Sequence, residues 1–182
     1  NQTAFHGTRA QFDQFDLDYT EPTGVHGWGL YFTNKKSLAE TYANVGRDQP
    51  GRLLKVDLPE NSEFIQRDNR LNDQGDAQPL VDKMMDALPE EIQSRFERFG
   101  DNVPYARDFE DLLKDHYKSE KIDAFTEGKL NFSLLGAASA SEYASKFLNQ
   151  YGFVGSLGRV TPWSDRPDLV FVLWDERVVS NL

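Results

Sequence analysis

The stretch that most limits how this chain can fold is Gly27-Trp28-Gly29-Leu30-Tyr31-Phe32-Thr33, considered with Ala4-Phe5-His6-Gly7-Thr8 upstream and Tyr42 downstream. A short apolar run entered through glycines reads as a strand whose surroundings let backbone or ligand approach closely. Tyr31 then offers a ring on which a flat ligand can lie. His6 follows Phe5 in an extended segment, so the two point to opposite faces and His6 presents a ring nitrogen near a strand end. Gly7 leaves its own N–H and C=O uncovered. Together these groups suit a polar, planar ligand carrying an amide or a ribose. Each also has an ordinary reading: a chance His-Gly-Thr, or a strand with a tight entry. The glycines do not form a dinucleotide fingerprint, because the third glycine and the strand-to-helix context are missing.

Taken jointly, His6-Gly7-Thr8-Arg9, Gly27 to Thr33 and a helix bearing Tyr42, eleven residues after Tyr31, resemble the His-Tyr-Glu class of ADP-ribosyltransferases, which includes the poly(ADP-ribose) polymerases. The chain is most similar to the ADP-ribosyltransferase domains of phage and mobile-element polyvalent proteins. That family similarly runs Phe-His-Gly-Thr, a segment like Phe12-Asp13-Gln14-Phe15-Asp16, a Gly-Leu-Tyr-Phe-Thr block and a helix end like Tyr42-Ala43. The resemblance covers the first 58 residues and resumes near the C-terminus. Between them it is confined to scraps such as Phe64-Ile65, Asp68, Leu71 and Gln74.

With 182 residues, one domain spanning 1–182 is expected, able to bury about 70% of its unfolded surface. The chain has no cysteine, which excludes disulfides, thiolate metal sites and a cysteine nucleophile. A net charge of −10 argues against general affinity for nucleic-acid backbones. No apolar run reaches the length of a membrane span, and no charged-then-apolar leader opens the chain. The first residue is Asn1 and the chain starts inside a strand, so a domain cut from a longer protein is expected, cytoplasmic in the producing or target cell.

Thr3 to Gly7 reads as a first strand, followed by a loop anchored by Phe12 and Phe15 with a turn at Glu21-Pro22-Thr23-Gly24. His26, in the glycine-rich approach, either faces a ligand or belongs to an ordinary loop. Asn34 or Ser37 is placed to cap a helix with Leu38, Ala39, Tyr42 and Ala43 on an inward stripe. On residues alone, Tyr42 is a core tyrosine or a ligand contact. Arg52 to Leu58 is a strand, ended by Pro59. From about 60 to 128 the chain turns acidic and helical in period, with stripes at Leu80/Val81/Met84/Met85/Leu88, Ile92/Phe96/Phe99 and Phe109/Leu112/Leu113/Tyr117. This reads as a helical insertion capping the sheet, its acids forming a solvated face. Asp68, Asp73 and Asp76 lack calcium-loop order and the three histidines lie far apart, so no metal site is expected. Ser139 to Gln150 makes a further helix with Tyr143, Ala144, Phe147 and Leu148 inward, leading to Tyr151-Gly152-Phe153-Val154-Gly155. Gly158 to Pro167 is a loop by composition, in which Trp163 is a loop anchor or a substrate contact. Leu169 to Trp174 is a buried central strand, and Val178-Val179 a last short one.

The resemblance implies an α+β fold of the ADP-ribosyltransferase type: a split, mostly antiparallel β-sandwich with an NAD groove between its two sheets, plus the helical insertion. It implies NAD as substrate, with His6 holding the adenosine ribose, Gly7 pairing with the nicotinamide amide, and Tyr31 and Tyr42 clamping the ring. Phe32 adjoins that site, and Thr8 and Arg9 are candidates for the adenosine or diphosphate side. Ala39 falls where many relatives carry a serine that bonds the amide, which implies weaker nicotinamide binding. The polymerase branch has a catalytic Glu where this chain has Val170. An apolar residue there is shared with mono-transferring relatives, so single ADP-ribose transfer to a macromolecule, a protein foremost, is expected over chain elongation. Asp168, two residues earlier, is either a substitute acid or a loop cap after Pro167. The alternatives are an inactive binding module, an NAD glycohydrolase, and a nucleic-acid transferase, the last disfavoured by the acidic charge.

Overall fold

The computed structural model describes residues 1–20, 26–44, 51–126, 137–161 and 167–181. Seven strands, β1 (Gln2–Thr8), β2 (Leu30–Thr33), β3 (Arg52–Leu58), β4 (Phe64–Gln66), β5 (Gly155–Arg159), β6 (Leu169–Leu173) and β7 (Ser180–Asn181), make one curled sheet in the order β4-β5-β6-β2-β1-β3-β7. Every pairing is antiparallel except β4 with β5. Five α-helices accompany it: α1 (Lys36–Asn44), α2 (Gln78–Asp86), α3 (Glu90–Phe96), α4 (Ala106–Thr126) and α5 (Ala137–Asn149). The fold is α+β, as the resemblance implies.

The split has a definite place. β1 pairs with β3 along its full length, from Gln2↔Leu58 to Thr8↔Arg52, but meets β2 at Phe5↔Thr33 alone. Continuing that register would set Gly7 opposite Tyr31; the ladder stops short of it. The two expected sheets are thus the halves β4-β5-β6-β2 and β1-β3-β7, joined by one pair of residues.

Alternation along the strands sorts side chains onto two faces. Val170, Val172 and Trp174 face a cluster built with Phe109, Leu113, Ala144, Phe147 and Leu148 from the helices, and Tyr31 packs against it. Phe171 and Leu173 point the other way, to Ala4, Leu30, Phe32, Val56, Leu58 and Phe64.

Several local expectations change. The segment expected to be wholly helical from about residue 60 begins with a strand, β4, whose three residues are too few to show a period. Gly158, expected in a loop, is a strand residue opposite Val170. Val178 ends a 3-10 turn, and the last strand lies at Ser180–Asn181. Asn34 does not cap α1: its side chain donates to Pro167 O and accepts from Leu169 N–H, fastening the start of β6. Tyr143 is 44% exposed rather than inward. The turn at Glu21 to Gly24 and Trp163 lie outside the described residues.

Candidate active site

Where β1 and β2 part, a cavity of about 640 Å³ opens, lined by His6, Gly7, Thr8, Phe12, Phe15, Leu30 and Tyr31 among others. Where the β1–β2 ladder stops, the His6 side chain meets Tyr31 C=O. The imidazole Nδ1 lies 2.6 Å from that oxygen and must donate to it. Burial pushes the His6 pKa below its ordinary value, partly offset by this bond. The ring is therefore neutral at neutral pH, with its only proton on Nδ1 and a lone pair on Nε2. Phe15 and Phe32 hold it at centroid distances of 5.2 and 5.4 Å. Phe12, half-buried beside Phe15, is secured by the Arg52 guanidinium, which lies over its ring and donates to its carbonyl at 3.0 Å.

Tyr31 is fixed at its far end. Its hydroxyl donates to Gly27 O at 2.6 Å and accepts from His26 N–H at 2.9 Å. Burial pushes its pKa up to about 12, so the phenol keeps its proton. The turn that holds it is fastened in its own right: Trp28 N–H donates to Ser141 Oγ of α5 at 2.8 Å, and Arg67 Nη1 donates to His26 O at 3.3 Å. Gly29 makes the entry possible. At φ +145°, a Cβ there would stand 2.6 Å from Val172 Cγ1, which no larger residue could accommodate.

Of the residues singled out by sequence, His6, Gly7, Thr8 and Tyr31 meet at this cavity. Thr8 also accepts from Ala10 N–H. Phe32 is buried behind His6 and supports it rather than lining the cavity. Arg9 is exposed outside the lining.

Ala39 is 1% exposed and lies against Gly7, where a Cβ would come within 1.8 Å of Ala39 O. Ala39 and Ala43 thus form the contact line of α1 on β1. That contact corrects the expected inward stripe: Tyr42 sits about 100° around the helix from Ala43 and is 59% exposed. It stays near enough to Tyr31 for its charge to be felt there.

Asp168 is corrected as well. It pairs with Lys35 at 3.2 Å and lines a separate depression with Ser37, Thr41 and Thr161. Val172 is the partner of Tyr31, so Asp168 lies about 13 Å further along β6 at ~3.3 Å per residue. Val170 is buried.

Sequence reasoning did not single out Arg67 and Glu110, whose charges are felt at the Tyr31 hydroxyl. Among the described residues no three acids or histidines gather as metal ligands would, and no helix is long and apolar enough to cross a membrane.

Comparison with known proteins gives a family model described as ADP-ribosyltransferase in polyvalent proteins, which matches residues 2–150. No curated protein and no solved structure matches the chain.

Proposed function

The chain belongs to the ADP-ribosyltransferase family of polyvalent proteins, and on that premise we propose that it transfers a single ADP-ribose from NAD to a macromolecular acceptor, a protein. The observation that carries this reading is the His6–Tyr31 junction. A neutral imidazole, held through Nδ1 on the Tyr31 carbonyl and so left with Nε2 as an acceptor, belongs to a residue that lines the same cavity as the Tyr31 ring.

In this reading Nε2 of His6 accepts from the adenosine ribose hydroxyl, and the backbone of Gly7, where the ladder has parted, pairs with the nicotinamide amide. Tyr31 forms one wall of the nicotinamide site. Tyr42, exposed on α1, closes on the ring when it binds. Thr8 lies on the diphosphate side and Arg9 at the rim. Ala39 supplies no hydroxyl to the amide, so nicotinamide is held by stacking and by Gly7. With an apolar residue at 170, one transfer is favoured over elongation.

The bond from ribose to nicotinamide breaks toward an oxocarbenium-like state, as in other glycosyl transfers. The protein's main task is to fix geometry and exclude water, and orientation alone is worth ~7–11 kcal/mol near attack geometry. Nothing in this chemistry calls for a metal.

A second reading, a non-catalytic module that keeps the groove, draws on the engagement of Asp168 by Lys35 and on Val170. Incubation with labelled NAD and a cell lysate separates the possibilities. Label on protein supports transfer. Free ADP-ribose without an acceptor indicates a glycohydrolase, nuclease-sensitive label a nucleic-acid acceptor, and no turnover the module.

A further inference from the structure

Side chains alternate along β3, so that Leu54, Val56 and Leu58 share one face, where Val56 and Leu58 join a core cluster. The remaining position in that phase is Arg52, and an aliphatic side chain there would keep the pattern. The cation is incompletely provided for: its Nε is buried without a hydrogen-bond partner. A buried donor left unpaired works against folding, so the stability of the sheet does not account for Arg52. Its contacts indicate what it serves.

Arg52 ends the β1–β3 ladder opposite Thr8, on the face that Thr8 shares with His6 two residues earlier. From there it reaches the loop that follows β1. Among the described residues, 9–20 supply more of the cavity lining than β1 or β2 does, including Gln11, Phe12, Gln14 and Phe15. Yet this loop is sparsely fastened. Apart from the local bond of Ala10 N–H to Thr8 Oγ1, one hydrogen bond joins residues 9–20 to another described element: Arg52 Nη2 donates to Phe12 O at 3.0 Å. The same guanidinium lies 5.4 Å from the centre of the Phe12 ring. Phe12 packs on Phe15 at 5.1 Å, and Phe15 on the His6 imidazole at 5.2 Å. A single side chain thus holds both the backbone and the ring of the residue from which this wall is built up to His6.

We propose that Arg52 is a positioning residue for NAD, which keeps residues 9–20 in place as a preformed wall so that the ligand binds without first having to order them. The inference rests on the transferase reading above. A site that is assembled only part of the time binds more weakly by that fraction. A hydrogen bond from a charged donor, joined to a cation over an aromatic ring, is strong enough to set such a balance. Arg52 is not part of the lining, so it acts through Phe12 and not on the ligand. Its loss weakens binding and leaves the reacting groups unchanged once NAD is in place.

The test compares wild type with Arg52→Met, which keeps the stem but removes the donors, and Arg52→Lys, which keeps a cation. Each is measured for NAD affinity, melting temperature, chymotrypsin cleavage after Phe12 and Phe15, and transfer of labelled ADP-ribose to lysate protein. Arg52→Met is expected to bind NAD about tenfold or more weakly, to be cleaved faster in the loop, and to melt within a few degrees of wild type. At saturating NAD its transfer should return to within a few-fold of wild type, the split expected when binding alone is lost. Arg52→Lys should recover part of the affinity. Affinity or loop cleavage unchanged in Arg52→Met would overturn the proposal, as would a loss of transfer that saturating NAD does not restore. A joint fall in affinity and melting temperature, the mark of a merely structural role, overturns it too. Absence of NAD binding by wild type removes the transferase reading and this inference with it, whereas equal binding by wild type and Arg52→Met removes this inference alone.

Discussion

Two bonds decide what Tyr31 and His6 can do. The Tyr31 hydroxyl satisfies both His26 N–H and Gly27 O, so Tyr31→Phe should leave a donor and an acceptor unpaired and cost about 1–3 kcal/mol in urea unfolding. NAD affinity should stay within a few-fold, since the ring remains. A variant as stable as wild type would show that these bonds are not formed in solution.

His26, with its ring 6.2 Å from that of Tyr31, gives a pH dependence. Burial first, and then the Arg67 charge, lowers its pKa from 6.5 to about 4 in the folded chain, with Asp68 acting the other way. Between those values the unfolded chain binds more protons, so stability present above the upper value is lost as pH falls toward the lower. Glu110, its pKa raised, works in the opposite sense, which makes the comparison one of variant against wild type. His26→Gln should lose less stability than wild type across the window, read from urea midpoints at its two ends; equal losses would acquit His26. At this scale the sequence revealed His6, Gly7 and Tyr31, because strand alternation and neighbouring glycines mark them. Glu110 was hidden among many acids, and its one signal was its phase with Ala106, Phe109 and Leu113.

The elements are held to the site by close contacts that tolerate little change. α1 rests on β1 through Ala39, Ala43 and Gly7, and a Cβ at Gly7 would overlap Ala39 O. Gly7→Ala should therefore lift the helix that carries Tyr42 and cost about 3 kcal/mol, the upper end for overpacking, visible as a lower melting temperature together with weaker NAD binding. α5 fastens the turn before β2 through Ser141 Oγ and Trp28 N–H. Ser141→Ala leaves that buried N–H unpaired, and a loss of about 1–2 kcal/mol is expected.

Strands β1, β3 and β6 were legible because each carries five to seven residues of strand pattern. β4 was not, since Phe64–Gln66 owes its strand form to pairing with Gly155–Leu157, remote in sequence. The outward roll of Tyr42 was equally hidden. Spacing placed it on the apolar stripe, whereas the contact line of α1 is set by how closely two alanines approach a glycine.

For the molecule as a whole, the proposed function rests on a sheet that parts. Two half-sheets share one register pair, Phe5↔Thr33, and the edges they would otherwise satisfy in each other line a cavity. The class of fold could be inferred from the motifs in the first 58 residues, but the place of the split could not, because it depends on where the pairing of β1 and β2 ends. The helical segment packs on the Tyr31 face of the sheet, a long-range consequence of α4 meeting Val170 and Val172. The most direct measurement of the central claim is a crystal structure of the full chain soaked with NAD. The expected result places the nicotinamide ring against Tyr31 with its amide on the Gly7 backbone, and a ribose hydroxyl on His6 Nε2. NAD bound away from the gap between β1 and β2, or a gap left empty at saturating NAD, would contradict it.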